Sequence, residues 1–185
     1  MIPYFEALLA QFTNPVTAIG QIIGFIPMIL AYFVFHYNNR TTSICIKAVS
    51  DGISAVHFLL LGQPTGFAIN CVNTLRGICF SQKGRHAWAS GIWMPILFCC
   101  FTAFSSLLGW TGWESLLPLF GSCLAVIGYW NADPHRLRLF NLAGISLWVI
   151  YGVITMSVST VIHNCIAIIS IVRTEWSLAA QKNRQ

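Results

Sequence analysis

Seven apolar blocks divide the chain, at residues 15–36, 44–62, 66–82, 87–109, 115–131, 138–156 and 158–174, and short polar intervals close each of them. A helix needs roughly 20 mostly apolar residues to cross a bilayer, so the pattern predicts seven spanning helices that use almost the whole chain and leave no room for a soluble domain. Some blocks are short for a span, which implies tight packing or a thin hydrophobic belt.

The polar intervals add orientation, because cytoplasmic loops retain Lys and Arg. Arg40 and Lys47, then Arg76, Lys83 and Arg85, then Arg136 and Arg138, then Arg173, Lys182 and Arg184 are all ten cations of the chain, and seven spans place every one on a single side. The opposite side comprises the N-terminus, GQPT at 62–65, WTGWES at 110–115 and MSVS at 156–159, and its only charges are Glu6 and Glu114. Removing one span would scatter cations over both sides. The expected topology is therefore N-terminus outside and C-terminus cytoplasmic, with Trp88, Trp110, Trp113 and Trp176 at span ends as an interfacial belt. The first fourteen residues carry Glu6 and no cation, which does not fit a cleaved signal peptide. They are expected to form an extracytoplasmic or interfacial segment anchored by Tyr4, Phe5 and Phe12, with Asn14-Pro15 opening the first span.

Composition agrees. With 56% hydrophobic and 8% charged residues the chain lies outside the soluble globular range, and its natural partner is the lipid bilayer. The net charge of +5 belongs to cations gathered at one membrane face, where anionic headgroups rather than nucleic acid are the fitting counterpart. All seven cysteines lie in apolar segments without C-x-x-C or metal spacing and read as small hydrophobes; no metal and no cofactor is expected. There is no H-E-x-x-H, no G-x-S-x-G and no intramembrane aspartate pair, so no catalytic residue is assigned and an enzyme is disfavoured. The last span has no lysine for a retinal Schiff base.

The loops repeat. Spans one to three are joined by the basic YNNRTTS and then the tight GQPT; spans five to seven are joined by NADPHRLR and then MSVS. An odd triplet inverts the chain and one further helix restores it. The expected fold class is an all-α polytopic membrane protein with two parallel triple-helix bundles, 15–82 and 115–174, joined by a linker helix at 87–109 and followed by a cytoplasmic tail at 175–185. Sliding 55–79 onto 149–173 aligns Asn70-Cys71 with Asn164-Cys165 and little else.

The stretch GISLWVIYGVITMSVSTVIHNCIAIISIVR at 144–173 resembles the second-to-third helix hairpin of SWEET and SemiSWEET sugar transporters, through W-x-x-Y-G at Trp148, Tyr151 and Gly152 and through Asn164. The first half departs from it, with Ser54 and His57 where the second has Trp148 and Tyr151. VHFLLLGQPTGFAINCVNTLRG at 56–77 resembles the YgjV-type family of bacterial inner-membrane proteins, whose pattern joins a V-H-F-hydrophobic-L-G segment to a following Asn-x-x-Arg, here Asn73 and Arg76. Such proteins look related to the PQ-loop or MtN3-like transporters, although this chain has no Pro-Gln pair and a gate built on one does not carry over. The resemblance implies a bacterial inner-membrane location and a SWEET-like transporter.

Polar side chains inside spans are costly unless paired and mark candidate sites. Asn70 and Asn164, at matching places in spans three and seven, are expected to face a central cavity and bind a polar solute, with Asn73 one turn beyond Asn70. Trp148 and Tyr151, at i and i+3, are expected to form an aromatic platform. His57 and His163 are the intramembrane histidines, and His57 is carried as a candidate binding residue. Asp51, between Lys47 one turn earlier and Arg76 at similar depth, is expected to form a buried ion pair rather than a proton-coupling site. Pro27 and Pro95 are kink candidates. The expected function is transport of a small polar solute through a midplane site; the alternative is a binding or scaffold protein without turnover, and a homo-oligomer is compatible with either.

Overall fold

The computed structural model describes residues 12–36, 40–131 and 133–182. Among them seven α-helices follow in order: α1 Pro15–His36, α2 Arg40–Leu60, α3 Pro64–Ser81, α4 Trp93–Leu108, α5 Leu116–Trp130, α6 Pro134–Ile154 and α7 Val158–Lys182. Proline opens α1, α3 and α6, where its missing amide leaves no helical bond unmade. Asn14 Oδ1 accepts from the Val16 amide at 2.9 Å, and Asp133 Oδ1 from the His135 amide at 3.0 Å, which satisfies donors the first turn leaves free.

The expected spans recur with shifted ends. α2 starts at Arg40 instead of 44, α6 at Pro134 instead of 138, and α7 runs through the expected tail to Lys182 instead of stopping at 174. A hydropathy block ends where polar residues gather, whereas a helix ends when its backbone bonds do, so Arg136 rides on a helical extension. The expected 87–109 helix is two pieces, a 3-10 turn at Ala87–Ala89 and α4 from Trp93, with Ser90, Gly91 and Ile92 between them. Tyr4, Phe5, Glu6 and Arg184 lie outside the described residues; Phe12 is exposed.

α1 packs on α2 and α7, α2 on α3, α3 on α5, α5 on α6 and α6 on α7, which closes a ring of six helices. α4 stands outside it, against α3 and α5. At the α5–α6 crossing a side chain at Gly144 would place its Cβ 2.5 Å from the Gly121 carbonyl oxygen, so only glycine permits that approach. The start of α6 and the end of α7 are tied by Glu175, which accepts from Arg138 Nε and pairs with His135 Nδ1 at 2.7 Å. Lys83 Nζ donates to the Trp130 carbonyl at 2.7 Å and lies 3.6 Å from that residue's ring centre.

Burial is inverted. Among the described residues 22 polar or charged residues are buried against 17 hydrophobic ones, while Ile22, Ile29, Ile96, Phe104, Leu107 and Ile169 are exposed. A water-facing protein buries its apolar side chains; this one turns them outward, as the hydrocarbon of a bilayer requires. Trp88, Trp110, Trp113 and Trp176 are exposed close to helix ends. By length and composition alone Thr41–Leu60, Pro134–Ile154 and Val158–Ala180 suffice to cross a membrane, while Pro15–Ala31 and Trp93–Leu108 are shorter apolar helices.

The α2–α3 and α6–α7 turns match bond for bond. Gly62 N donates to Leu59 O and Gln63 N to Phe58 O; Met156 N donates to Val153 O and Ser157 N to Gly152 O. Gly62 and Met156 hold the same left-handed conformation, φ 67° and 54°. The register is the one that aligns Asn70 with Asn164.

Candidate central site

A cavity of about 60 Å³ lies within the ring and is lined from all six of its helices. It has room for roughly four to six waters, at 10–15 Å³ each. Four cavity-lining residues of α2, Lys47, Asp51, Ser54 and His57, recur at one-turn spacing and reach over about 15 Å at ~1.5 Å per residue.

Charge occupies the end of the cavity expected to face the cytoplasm. Lys47 pairs with Asp51 Oδ1, and Arg76 Nη2 lies 3.8 Å from Asp51 Oδ2, so the carboxylate sits between two cations. Asp51 and Arg76 are each 2% exposed. The guanidinium also lies 5.4 Å from the Tyr129 ring centre and reaches the Ser122 carbonyl at 3.4 Å. Asn73 Nδ2 donates to Ser122 Oγ at 3.1 Å, while its Oδ1 has no hydrogen-bond partner among the described residues.

Amides occupy the middle. Asn70 and Asn164 both line the cavity, and no hydrogen bond joins them. Asn70 Nδ2 donates to Gly66 O at 2.8 Å and Asn164 Nδ2 to Thr160 O at 2.9 Å, each four residues back on its own helix. That bond leaves the amide oxygen of each free of the intrahelical role. A third asparagine, Asn141 of α6, lines the same cavity and bonds Leu137 O at 2.8 Å in the same way. His163 lines it as well.

Aromatic rings and hydroxyls close the other end. Trp148 and Phe58 line the cavity with ring centres 6.0 Å apart. Tyr151 is fully buried and meets Trp148 edge-on at 88°, so the flat platform expected of Trp148 and Tyr151 is replaced by a wall of Trp148 and Phe58. His57, 1% exposed, has Nδ1 2.8 Å from the Gly20 carbonyl, to which it donates, and Nε2 2.7 Å from Ser157 Oγ. Ser159 and Thr160 hydroxyls lie 3.4 Å from the same nitrogen, and Gln21 bonds the Met156 carbonyl at 3.3 Å. Gly24 is small because a Cβ there would fall 2.2 Å from Ser159 Oγ and 2.7 Å from His57 Nδ1. A second hydroxyl cluster joins α3, α4 and α5: Thr65 donates to the Gly109 carbonyl and contacts Ser115 Oγ at 3.1 Å.

Asn141, Gln21, Ser122 and the Ser157–Thr160 hydroxyls were not singled out from sequence. Asn141 carried a usable signal, since the register that matches Asn70 with Asn164 matches it with Lys47. Among the described residues no three His, Cys, Asp or Glu side chains converge as metal ligands, and all seven cysteines are free thiols.

A helical ring, apolar outside and polar around a closed central cavity, defines a polytopic membrane protein. The family model described as bacterial inner membrane protein, Imp-YgjV, matches residues 18–182, and the chain belongs to that family. No curated protein and no solved structure matches it.

Proposed function

We propose that this inner-membrane protein transports a small polar solute by alternating access between α1–α3 and α5–α7, read as two parallel repeats with α4 as the linker. One observation carries the reading: a cavity lined from all six ring helices, with four asparagines, a charged triad and an aromatic wall converging on it. A solute enclosed there touches both halves, so a movement of one half against the other would change which end is open. The matching turns at Gly62 and Met156 support the repeat. The side carrying the ten cations is then cytoplasmic, with the N-terminus outside, and the protein acts without covalent catalysis.

The test is uptake by purified protein in liposomes across sugars, nucleosides, vitamins, amino acids and organic acids, repeated with Asn70→Ala and Asn164→Ala. A transported solute should lose about tenfold or more in rate in each variant, the equivalent of one lost polar contact to a buried solute. Uptake indifferent to both substitutions would remove the midplane site. Reporter fusions at 62–63 and at 132–133 should report opposite faces; one face for both sinks the topology.

A further inference from the structure

We propose that the cavity takes a small hydroxycarboxylate, its carboxylate bound by Arg76 and Lys47 and its hydroxyl by Asp51 and Asn73. This names a substrate class for the site above and rests on the transport reading.

Charge makes the first step. Of the residues lining the cavity, Lys47 and Arg76 are cations, Asp51 is the one carboxylate, and the remainder are neutral apart from two histidines that can only add positive charge. The lining therefore carries at least one uncompensated positive charge. A buried charge without a partner is strongly unfavourable, and water entering the cavity solvates it without cancelling it. An anion does cancel it.

Geometry makes the second step. Arg76 has five N–H donors, yet among the described residues it has one hydrogen bond, of 3.4 Å, and an ion-pair contact of 3.8 Å to Asp51. A planar guanidinium left so little used, with its side chain 3% exposed, fits the two oxygens of a carboxylate. Beside it two buried acceptors have no hydrogen bond among the described residues, Asn73 Oδ1 and Asp51 Oδ2, the latter meeting only the 3.8 Å contact to Arg76. The pocket thus asks for negative charge and for a donor together. A simple carboxylate or chloride supplies no donor. An amino acid supplies one, but as a zwitterion it leaves the positive charge in place. A hydroxycarboxylate supplies both. Space for about four to six waters admits a similar number of heavy atoms, with Trp148 and Phe58 bounding the far side.

Glycolate is the probe, titrated into purified protein by calorimetry and by thermal unfolding, against acetate, chloride, glycine and uncharged glycolamide. Glycolate should bind about tenfold more tightly than acetate or chloride, and glycine and glycolamide should bind weaker still. Lys47→Gln, at a partly exposed position, should weaken glycolate about tenfold, whereas Asp51→Asn, which adds to the positive charge and keeps an acceptor, should tighten acetate and glycolate alike. Glycolamide binding as well as glycolate, no binding of any probe, or affinities unmoved by both substitutions would overturn the proposal. Glycolate that binds with these signs but is not taken up by liposomes defeats the transport reading and leaves the anion site standing. Uptake of a neutral solute with which glycolate neither competes nor binds does the reverse.

Discussion

α2 and α6 precede matching turns and present matching positions to the cavity, yet they carry opposite chemistry. Lys47, Asp51, Ser54 and His57 of α2 correspond to Asn141, Ile145, Trp148 and Tyr151 of α6. All but Tyr151 line the cavity, and Tyr151 is packed on Phe58 behind it at 5.9 Å. One helix supplies every charge it shares with α3; the other supplies an amide, an aliphatic side chain and an indole. The backbone plan is shared while the side chains have diverged, so the cavity is polarised from one wall to the other. Volume has been exchanged between the halves too: Phe58 packs where a Cβ at Gly66 would sit 2.7 Å from it, while Gly152 faces Thr160 at the corresponding crossing.

The largest test of this contrast is the triad. Asp51→Ala leaves Arg76 buried beside Lys47 with no counter-charge and should cost about 3–5 kcal/mol, whereas Asn141→Ala on the other wall, losing a bond within its own helix, should cost ~1 kcal/mol or less. Thermal unfolding in one detergent checks both; equal losses would abolish the distinction between the walls. Next in size is the corresponding pair His57 and Tyr151. His57→Ala removes the side-chain partner of the Gly20 carbonyl and the Ser157 hydroxyl and should cost roughly 2–3 kcal/mol, while Tyr151→Phe keeps the ring packing and should cost under about 1 kcal/mol. Denaturant titration should separate them.

The asparagines should behave unlike either. Asn70→Ala and Asn164→Ala each give up an intrahelical bond worth about 0.5–1 kcal/mol, so both variants should fold and a change in flux can be read as a change at the site. A large loss of melting temperature in either one would assign it to structure. The turn completes the series. Met156→Gly relieves a left-handed residue and should raise stability by roughly 1 kcal/mol, and Gly62→Ala should lower it by a similar amount. Unfolding of the two variants should shift in opposite directions; shifts of the same sign would deny the turns their equivalence.

The seven helices were legible because charge punctuates the hydropathy, and no smaller number of spans collects the cations on one side. Their ends were not, since Arg136 and Arg138 look like loop residues until Asp133-Pro134 is recognised as a helix start. The same misreading hid Asn141, which appeared to lie within the first residues of its span when it lies two turns inside. Lys47, Asp51 and Arg76 could be associated from spacing and depth, and the structure places them in contact. Tyr151 could not be placed, because its i, i+3 relation to Trp148 fixes a helix face and leaves open which ring points inward. The hydroxyls around His57 were hidden for another reason: Ser157, Ser159 and Thr160 read as a turn, and only the packing of α1 against both α2 and α7 gathers them around the imidazole.

A membrane that stores energy as an ion gradient tolerates no polar thread through its proteins along which hydronium or sodium can creep. The cavity supplies such a thread for much of the way, with amides, histidines and hydroxyls in succession. On the reading proposed above, the excess positive charge at Lys47 and Arg76 would bar it, because a small cation approaching that end would meet repulsion in a medium that screens it poorly. Insulation against short circuit would then come from the same fixed charge that makes the cavity receptive.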